Sequence, residues 1–208
     1  MDSDNNQPFF VDKKPKFLKE ILQWVLVILG AFLVAIVIRG LVFEFVMVQG
    51  PSMENTLFTG QRLLVYKLGY KFGMPDRGDI IVFKFQEGKE SYIPVLDNIP
   101  FINRMIPKKD EVDYIKRAIA VPGDEVDIND GFIYVNGKRT DEPYAVGDTK
   151  KYPELQYPLK IPPNKIFAVG DNRNMSKDSR QIGLIDRTKI KGKAVFRLYP
   201  LKNFGTLK

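Results

Sequence analysis

The chain has no histidine and no cysteine among its 208 residues. A Ser-His-Asp triad, a Cys-His dyad and every metal site ligated by His or Cys are excluded by that composition. A disulfide scaffold is excluded too, although lack of cysteine alone identifies no compartment. Nucleophilic catalysis here requires Ser or Thr as the attacking group, with Lys, a carboxylate or Tyr as base. Serine with lysine is an established variant of that logic. Also missing are any internal repeat and, after residue 40, any long stretch of helical periodicity.

A chain of this length accommodates one substantial domain with additions. The formal net charge is +7, but the basic residues are interleaved with Asp and Glu. They read as a solvated basic surface, so no nucleic-acid partner is expected. No cofactor and no metal are expected either.

Between Ile21 and Ile38 the only strongly polar side chain is Gln23. At about 1.5 Å per residue this run makes roughly 27 Å of helix, close to the hydrocarbon thickness once Phe17 and Leu18 are added. Trp24 lies near one end, where interfacial aromatics are common. A cleaved export signal has a shorter apolar core followed by small residues. Here Arg39-Gly40-Leu41-Val42-Phe43-Glu44-Phe45 follows, so residues 17–39 read as a retained transmembrane anchor in the lipid bilayer. Lys13, Lys14, Lys16 and Lys19 precede the run and only Arg39 follows it closely. The positive-inside rule then puts residues 1–16 in the cytoplasm and 40–208 on the outer face of the cell membrane, a single-pass arrangement. Met1–Asp12, polar and acidic, reads as a disordered leader.

The body is expected to be mainly β. Short runs rich in Val, Ile, Phe and Tyr predict strands at Leu41–Gln49, Arg62–Lys67, Asp79–Phe85, Asp113–Val121, Glu125–Ile128, Phe132–Val135, Lys165–Val169 and Lys191–Tyr199. Asn129-Asp130-Gly131 and Asn136-Gly137 predict tight hairpin turns that make Glu125–Thr140 a small meander. Gln86–Asp110, with three prolines, reads as a long surface loop or a lid; Asp141–Pro163 reads as a coiled connection.

Ser52 follows Gly50-Pro51, a sequence that bends the backbone and can turn a hydroxyl and adjacent N–H groups outward. Alone, it is an everyday turn. Lys116 lies in the strand-like run Tyr114–Ala120, sharing a face with Tyr114 and Ala118. To act as a base near neutrality its pKa must fall from about 10.4 to about 7–8, a differential cost of roughly 4 kcal/mol that only burial supplies. On an edge strand it would instead be an ordinary surface lysine. The segment Gly170-Asp171-Asn172-Arg173-Asn174-Met175-Ser176-Lys177-Asp178-Ser179-Arg180 is a polar loop whose Asp171 or Asp178 can pair with Arg173 or Arg180.

Taken together, Ser52-Met53 with Thr56-Leu57, Arg77-Gly78-Asp79-Ile80-Ile81-Val82, Tyr114-Ile115-Lys116-Arg117 with Pro122-Gly123-Asp124, and the Gly170–Arg180 loop resemble type I signal peptidases. The blocks stand in the family's order behind an anchor, and the resemblance covers roughly Phe17 to Tyr199. It implies a β-rich catalytic core with a small β cap, about residues 124–163, preceded by one transmembrane α-helix. It implies a serine endopeptidase that removes signal peptides from exported preproteins, cutting after small residues at −1 and −3. Ser52 matches the nucleophile and Lys116 the general base. Ser176 matches the serine whose hydroxyl orients the lysine amine, Asp178 and Arg180 match charged residues that hold the site, and Asp171 and Arg173 match structural partners. Val46, Val48, Gly50, Met53, Leu57 and Ile115 match substrate-binding positions. Gly50 stands where some members carry a serine that completes the oxyanion hole, so that side-chain donor is missing. Asn55 stands where the family usually has proline, a change expected to loosen the turn.

Two alternatives stay in view. A self-cleaving repressor of the SOS type also uses Ser and Lys, but needs a helix-turn-helix where this chain has its apolar span. An inactive membrane-anchored binding module on the same fold is the other; the intact Ser52, Lys116 and Ser176 set argues against it.

Overall fold

A computed structural model describes residues 16–86 and 109–207. The expectations for Met1–Asp12, for Lys13 and Lys14, and for nearly all of the Gln86–Asp110 loop lie outside the described residues. The chain divides into two compact units between Ile38 and Arg39. Helix α1 (Lys16–Leu41) dominates the first. Its stretch Lys19–Ile38 is long and apolar enough to cross a membrane, and large side chains such as Trp24, Ile28 and Phe32 are exposed. A helix apolar around its whole circumference with uncovered side chains is suited to lipid rather than water.

The second unit is built from antiparallel strands: β1 (Phe43–Met47), β2 (Arg62–Tyr66), β3 (Ile80–Gln86) and β4 (Val112–Ala120), then β5 (Glu125–Asn129), β6 (Phe132–Val135), β7 (Lys138–Arg139) and β8 (Leu159–Lys160). Next come β9 (Lys165–Val169), β10 (Ile185–Asp186), β11 (Ile190–Tyr199) and β12 (Gly205–Thr206). Among the described residues two short α-helices interrupt them, α2 (Leu68–Phe72) and α3 (Ser179–Ile182). The larger sheet runs β1-β2-β11-β3-β4-β9-β10 with β12 beside β11, and the smaller runs β7-β6-β5-β8. The fold is mainly β. Both expected hairpin turns form, with Asp130, Gly131, Asn136 and Gly137 all at positive φ, as tight hairpins demand.

Strand alternation sorts the core into three clusters. One face of the larger sheet gathers Leu63, Val65, Ile80, Val82 and Ile115 with Val48, Met53 and Leu57. The other gathers Ile81, Phe83, Ala118, Ile166 and Ala168. A third joins the sheets, packing Ile119, Ala120, Phe167 and Val169 against Val126, Ile128, Ile133 and Val135. The apolar ribbon of β1 is amphipathic: Val46 turns toward the first cluster, while Phe45 and Met47 are exposed. The pieces not foreseen are α2, α3 and the two-residue strands β8, β10 and β12, too short to leave a periodic signal; β8 lies in the segment expected to be coil.

The pairing of β11 with β3 shifts register between Ile190 and Gly192. A Cβ at Gly192 would collide with the Tyr66 carbonyl and the Val65 side chain of β2. Gly192→Ala is therefore expected to lower Tm by about 3–9 °C through overpacking, measured by circular dichroism melting.

Candidate active site

Ser52 sits in a compact turn between β1 and β2. Gly50 takes φ +82°, a left-handed conformation that glycine adopts without strain. The turn closes through Glu54 N–H to the Pro51 carbonyl at 3.0 Å and Leu57 N–H to the Met53 carbonyl at 2.7 Å. Met53 and Leu57 anchor it by burial, at 1% and 0% exposed. Ser52 itself stays half-buried, and its N–H has no hydrogen-bond partner among the described residues. The substitution at Asn55 does not loosen the turn. Asn55 adopts φ +87°, which a proline ring forbids, and its amide donates to the Tyr144 carbonyl at 3.0 Å.

Lys116 comes from β4, hydrogen-bonded between β3 and β9, so it is not the surface lysine of an edge strand. It is 3% exposed. Its Nζ lies 2.8 Å from Ser52 Oγ and 3.0 Å from the Ile115 carbonyl oxygen, across 64 positions of sequence from the serine. Burial lowers the amine's pKa from 10.5 to about 8, close to 3 kcal/mol against the charged form. Asp178 and Asp171 oppose that change electrostatically and Arg180 assists it.

Around the pair stands a buried ionic frame. Arg117, next to Lys116, donates from Nε and Nη2 to Asp171 at 3.0 and 2.8 Å, and from Nη1 to the Gly78 carbonyl at 2.8 Å. Thr56 Oγ1 donates to the same carboxylate at 2.5 Å, tying the serine turn to the Gly170–Arg180 loop. Arg180 grips Asp178 through two 2.8 Å bonds, and Asp178 accepts the Gly170 N–H at 3.0 Å. Arg173 reaches outward to Glu142 at 2.8 and 3.0 Å and to Thr149 at 2.6 Å. Of the expected pairings inside the loop only Asp178–Arg180 forms, because Asp171 and Arg173 find partners 54 and 31 positions away. Sequence reasoning missed Arg117 and Glu142; the one signal available was the charge of Arg117 inside an apolar strand. Desolvation offsets much of the attraction in such pairs, so their contribution is chiefly geometric, while loss of one partner is costly.

Gly170 is where the frame meets the Ser52 turn. A Cβ there would collide with Ser176 Oγ and with the Ser52 carbonyl, and that carbonyl accepts the Asn172 N–H at 3.1 Å. Ser176 is 6% exposed, yet its Oγ has no hydrogen-bond partner among the described residues. The expected Ser176–Lys116 hydrogen bond is therefore not made; the amine is engaged by Ser52 and Ile115 instead. Of the expected substrate-binding residues, Gly50 is exposed and Val46 half-buried. Val48, Met53, Leu57 and Ile115 lie in one core cluster. Met53 and Leu57 are covered side chains in this structure rather than an open pocket wall, because they hold the turn down.

A hydroxyl in contact with a buried amine of lowered pKa is the kind of pairing that Ser/Lys nucleophilic chemistry requires. The family is specific. The model of the Signal peptidase, peptidase S26 family matches residues 21–199, and the chain belongs to that family. Signal peptidase IB of Staphylococcus aureus (strain COL) is 35% identical over 201 residues, covering 89% of this chain and 93% of that protein. Signal peptidase I of Bacillus licheniformis is 34% identical over 197 residues, covering 91% and 94%. A crystal structure of a signal peptidase I from Enterococcus faecalis V583 aligns at 26% identity and TM-score 0.40, over 58% of this chain and 97% of that one.

Gly170→Ala is expected to reduce peptidase kcat/KM at least about a hundredfold by displacing Ser52 and Ser176. Circular dichroism of the same variant is expected to keep the β signature, separating misplacement from unfolding.

Proposed function

We propose that this protein is a membrane-anchored serine endopeptidase that removes N-terminal signal peptides from exported preproteins, using Ser52 as nucleophile and Lys116 as general base. The observation that carries the reading is the 2.8 Å contact between the Lys116 amine and Ser52 Oγ at a lysine only 3% exposed. Uncharged Lys116 accepts the Ser52 proton as Oγ attacks the scissile carbonyl. The ammonium then protonates the leaving amine, and a water activated by the regenerated amine releases the acyl group. The Ser52 N–H supplies one oxyanion donor; Gly50 supplies none from a side chain.

Asp178, Arg180, Asp171 and Arg173 position the loop behind the pair. Ser176, with its hydroxyl unpaired, is a positioning residue for the amine once Ser52 is acylated. The apolar surroundings of Val46, Val48 and Ile115, with the covered Met53 and Leu57 beneath the serine turn, fit small residues at −1 and −3. Residues 17–39 anchor the chain in the cell membrane, with residues 1–16 in the cytoplasm and the catalytic domain, 40–208, on the outer face. Within that domain residues 124–163 form the cap. Signal peptides also reside in lipid, so anchoring enzyme and substrate together raises their effective concentration.

Purified protein incubated with a preprotein tests the mechanism. Ser52→Ala is expected to abolish cleavage and Lys116→Ala to reduce it at least about a hundredfold. Cleavage that survives both substitutions removes the proposed pair, and no cleavage by the wild type favours an inactive binding module. The pH dependence has a definite sign. Lys116 acts only when uncharged, so kcat/KM is expected to climb with pH and level off above about 8, measured from pH 6 to 10. Stability moves the same way: between about 8 and 10.5 the unfolded lysine holds a proton that the folded one has lost, so raising pH stabilises the fold there.

A further inference from the structure

Segment 142–149 is bonded to the Gly170–Arg180 loop, to the serine turn and, through one ring, to Arg117. Val146 forms a parallel bridge with Asn172: its N–H donates to the Asp171 carbonyl at 2.8 Å, and its carbonyl accepts the Arg173 N–H at 2.8 Å. Glu142 and Thr149 accept from the Arg173 guanidinium. Seated between these bonds, Tyr144 makes two contacts of another kind. Its ring lies over the Arg117 guanidinium, 3.9 Å from centroid to Cζ. Its carbonyl accepts the Asn55 amide of the serine turn at 3.0 Å. The phenol hydroxyl takes part in neither, donating instead to Glu142 at 3.3 Å.

A guanidinium offers its donors in one plane and leaves its faces free. Arg117 spends those donors on Asp171 and on the Gly78 carbonyl. A ring on the flat face holds the group in place without competing for any of them. What is held matters to the lysine. Asp171 and Asp178 are the carboxylates whose field reaches Lys116; Arg117 answers the first and Arg180 the second, and the Tyr114 ring stands 4.9 Å from the amine. The Asn55 bond acts on the other partner, because Ser52 lies three positions earlier in the same compact turn. We infer that Tyr144 is a positioning residue for both members of the catalytic pair, its ring holding Arg117 on Asp171 and its carbonyl holding the serine turn through Asn55. This role rests on the peptidase reading. Without the ring, water reaches the guanidinium and its hold on Asp171 loosens, so the carboxylate draws a proton to the amine. Water admitted beside the amine acts in the same direction by easing the penalty of burial.

The test measures kcat, KM and the pH profile of kcat/KM for full-length protein in detergent micelles acting on a preprotein. Tyr144→Leu is expected to lower kcat about tenfold with KM within about twofold of wild type, and to move the rise of kcat/KM to higher pH. Tyr144→Phe keeps the ring and loses only the bond to Glu142, so it is expected to restore both. Asn55→Gly accepts the φ of +87° and loses the amide. It is expected to lower kcat about threefold at every pH. A Tyr144→Leu profile that rises at the wild-type pH, or a Tyr144→Phe variant as impaired as Tyr144→Leu, overturns the positioning role while the peptidase stands. If circular dichroism shows Tyr144→Leu unfolded, Asn55→Gly decides alone: the fall in kcat supports the role and a wild-type kcat overturns it. Failure of the wild type to cleave overturns the peptidase reading, and the positioning role with it.

Discussion

The site depends on an amine withdrawn from water, and the neighbouring charges are arranged so that the lowering of its pKa by burial persists. An isolated carboxylate close to Lys116 would restore the ammonium. Asp171 and Asp178 both act in that sense. Each, however, is occupied by a guanidinium in two-point contact, Arg117 for the one and Arg180 for the other. The carboxylates can then serve as rigid struts without dominating the amine's protonation. Such struts add little net stability, but their two-point contacts fix where the carboxylates stand.

The same economy explains how three distant segments converge. β4 is held by strands on both sides and presents Lys116 to one face and Arg117 to the other. The lysine meets the Ser52 turn directly, and the arginine reaches the Gly170–Arg180 loop through Asp171. Thr56 closes the triangle by joining the serine turn to that same carboxylate. Gly170 lets loop and turn approach more closely than any side chain allows. Displacing one corner is therefore felt at the other two.

Much of this was legible in the residues. Alternating apolar runs located the long strands to within two residues or so at either end, and the Asn-Asp-Gly and Asn-Gly turns fixed the small meander. The family motifs singled out Ser52 and Lys116, which neither residue's local context would have done. What escaped shares one cause: it depends on partners far along the chain. Nothing near Arg173 announces Glu142, and nothing near Asp171 announces Arg117. The backbone at Asn55 could not be foreseen either, because its left-handed conformation is stabilised by a bond to Tyr144. Met53 and Leu57 were expected to face substrate, but the need to seat a short turn on the core covers them. The unpaired Ser176 hydroxyl likewise emerges only when every neighbour is in place.

The long sequence separation between Ser52 and Lys116 also governs when the molecule becomes competent. Asp171, which braces the lysine's strand through Arg117, stands 54 positions beyond that arginine, so a ribosome must pass all three segments before the hydroxyl and amine can be locked together. Contacts this non-local cost loop-closure entropy before they are rewarded, so they form slowly. A partly made copy therefore holds serine and lysine apart until the segment that braces them has been added.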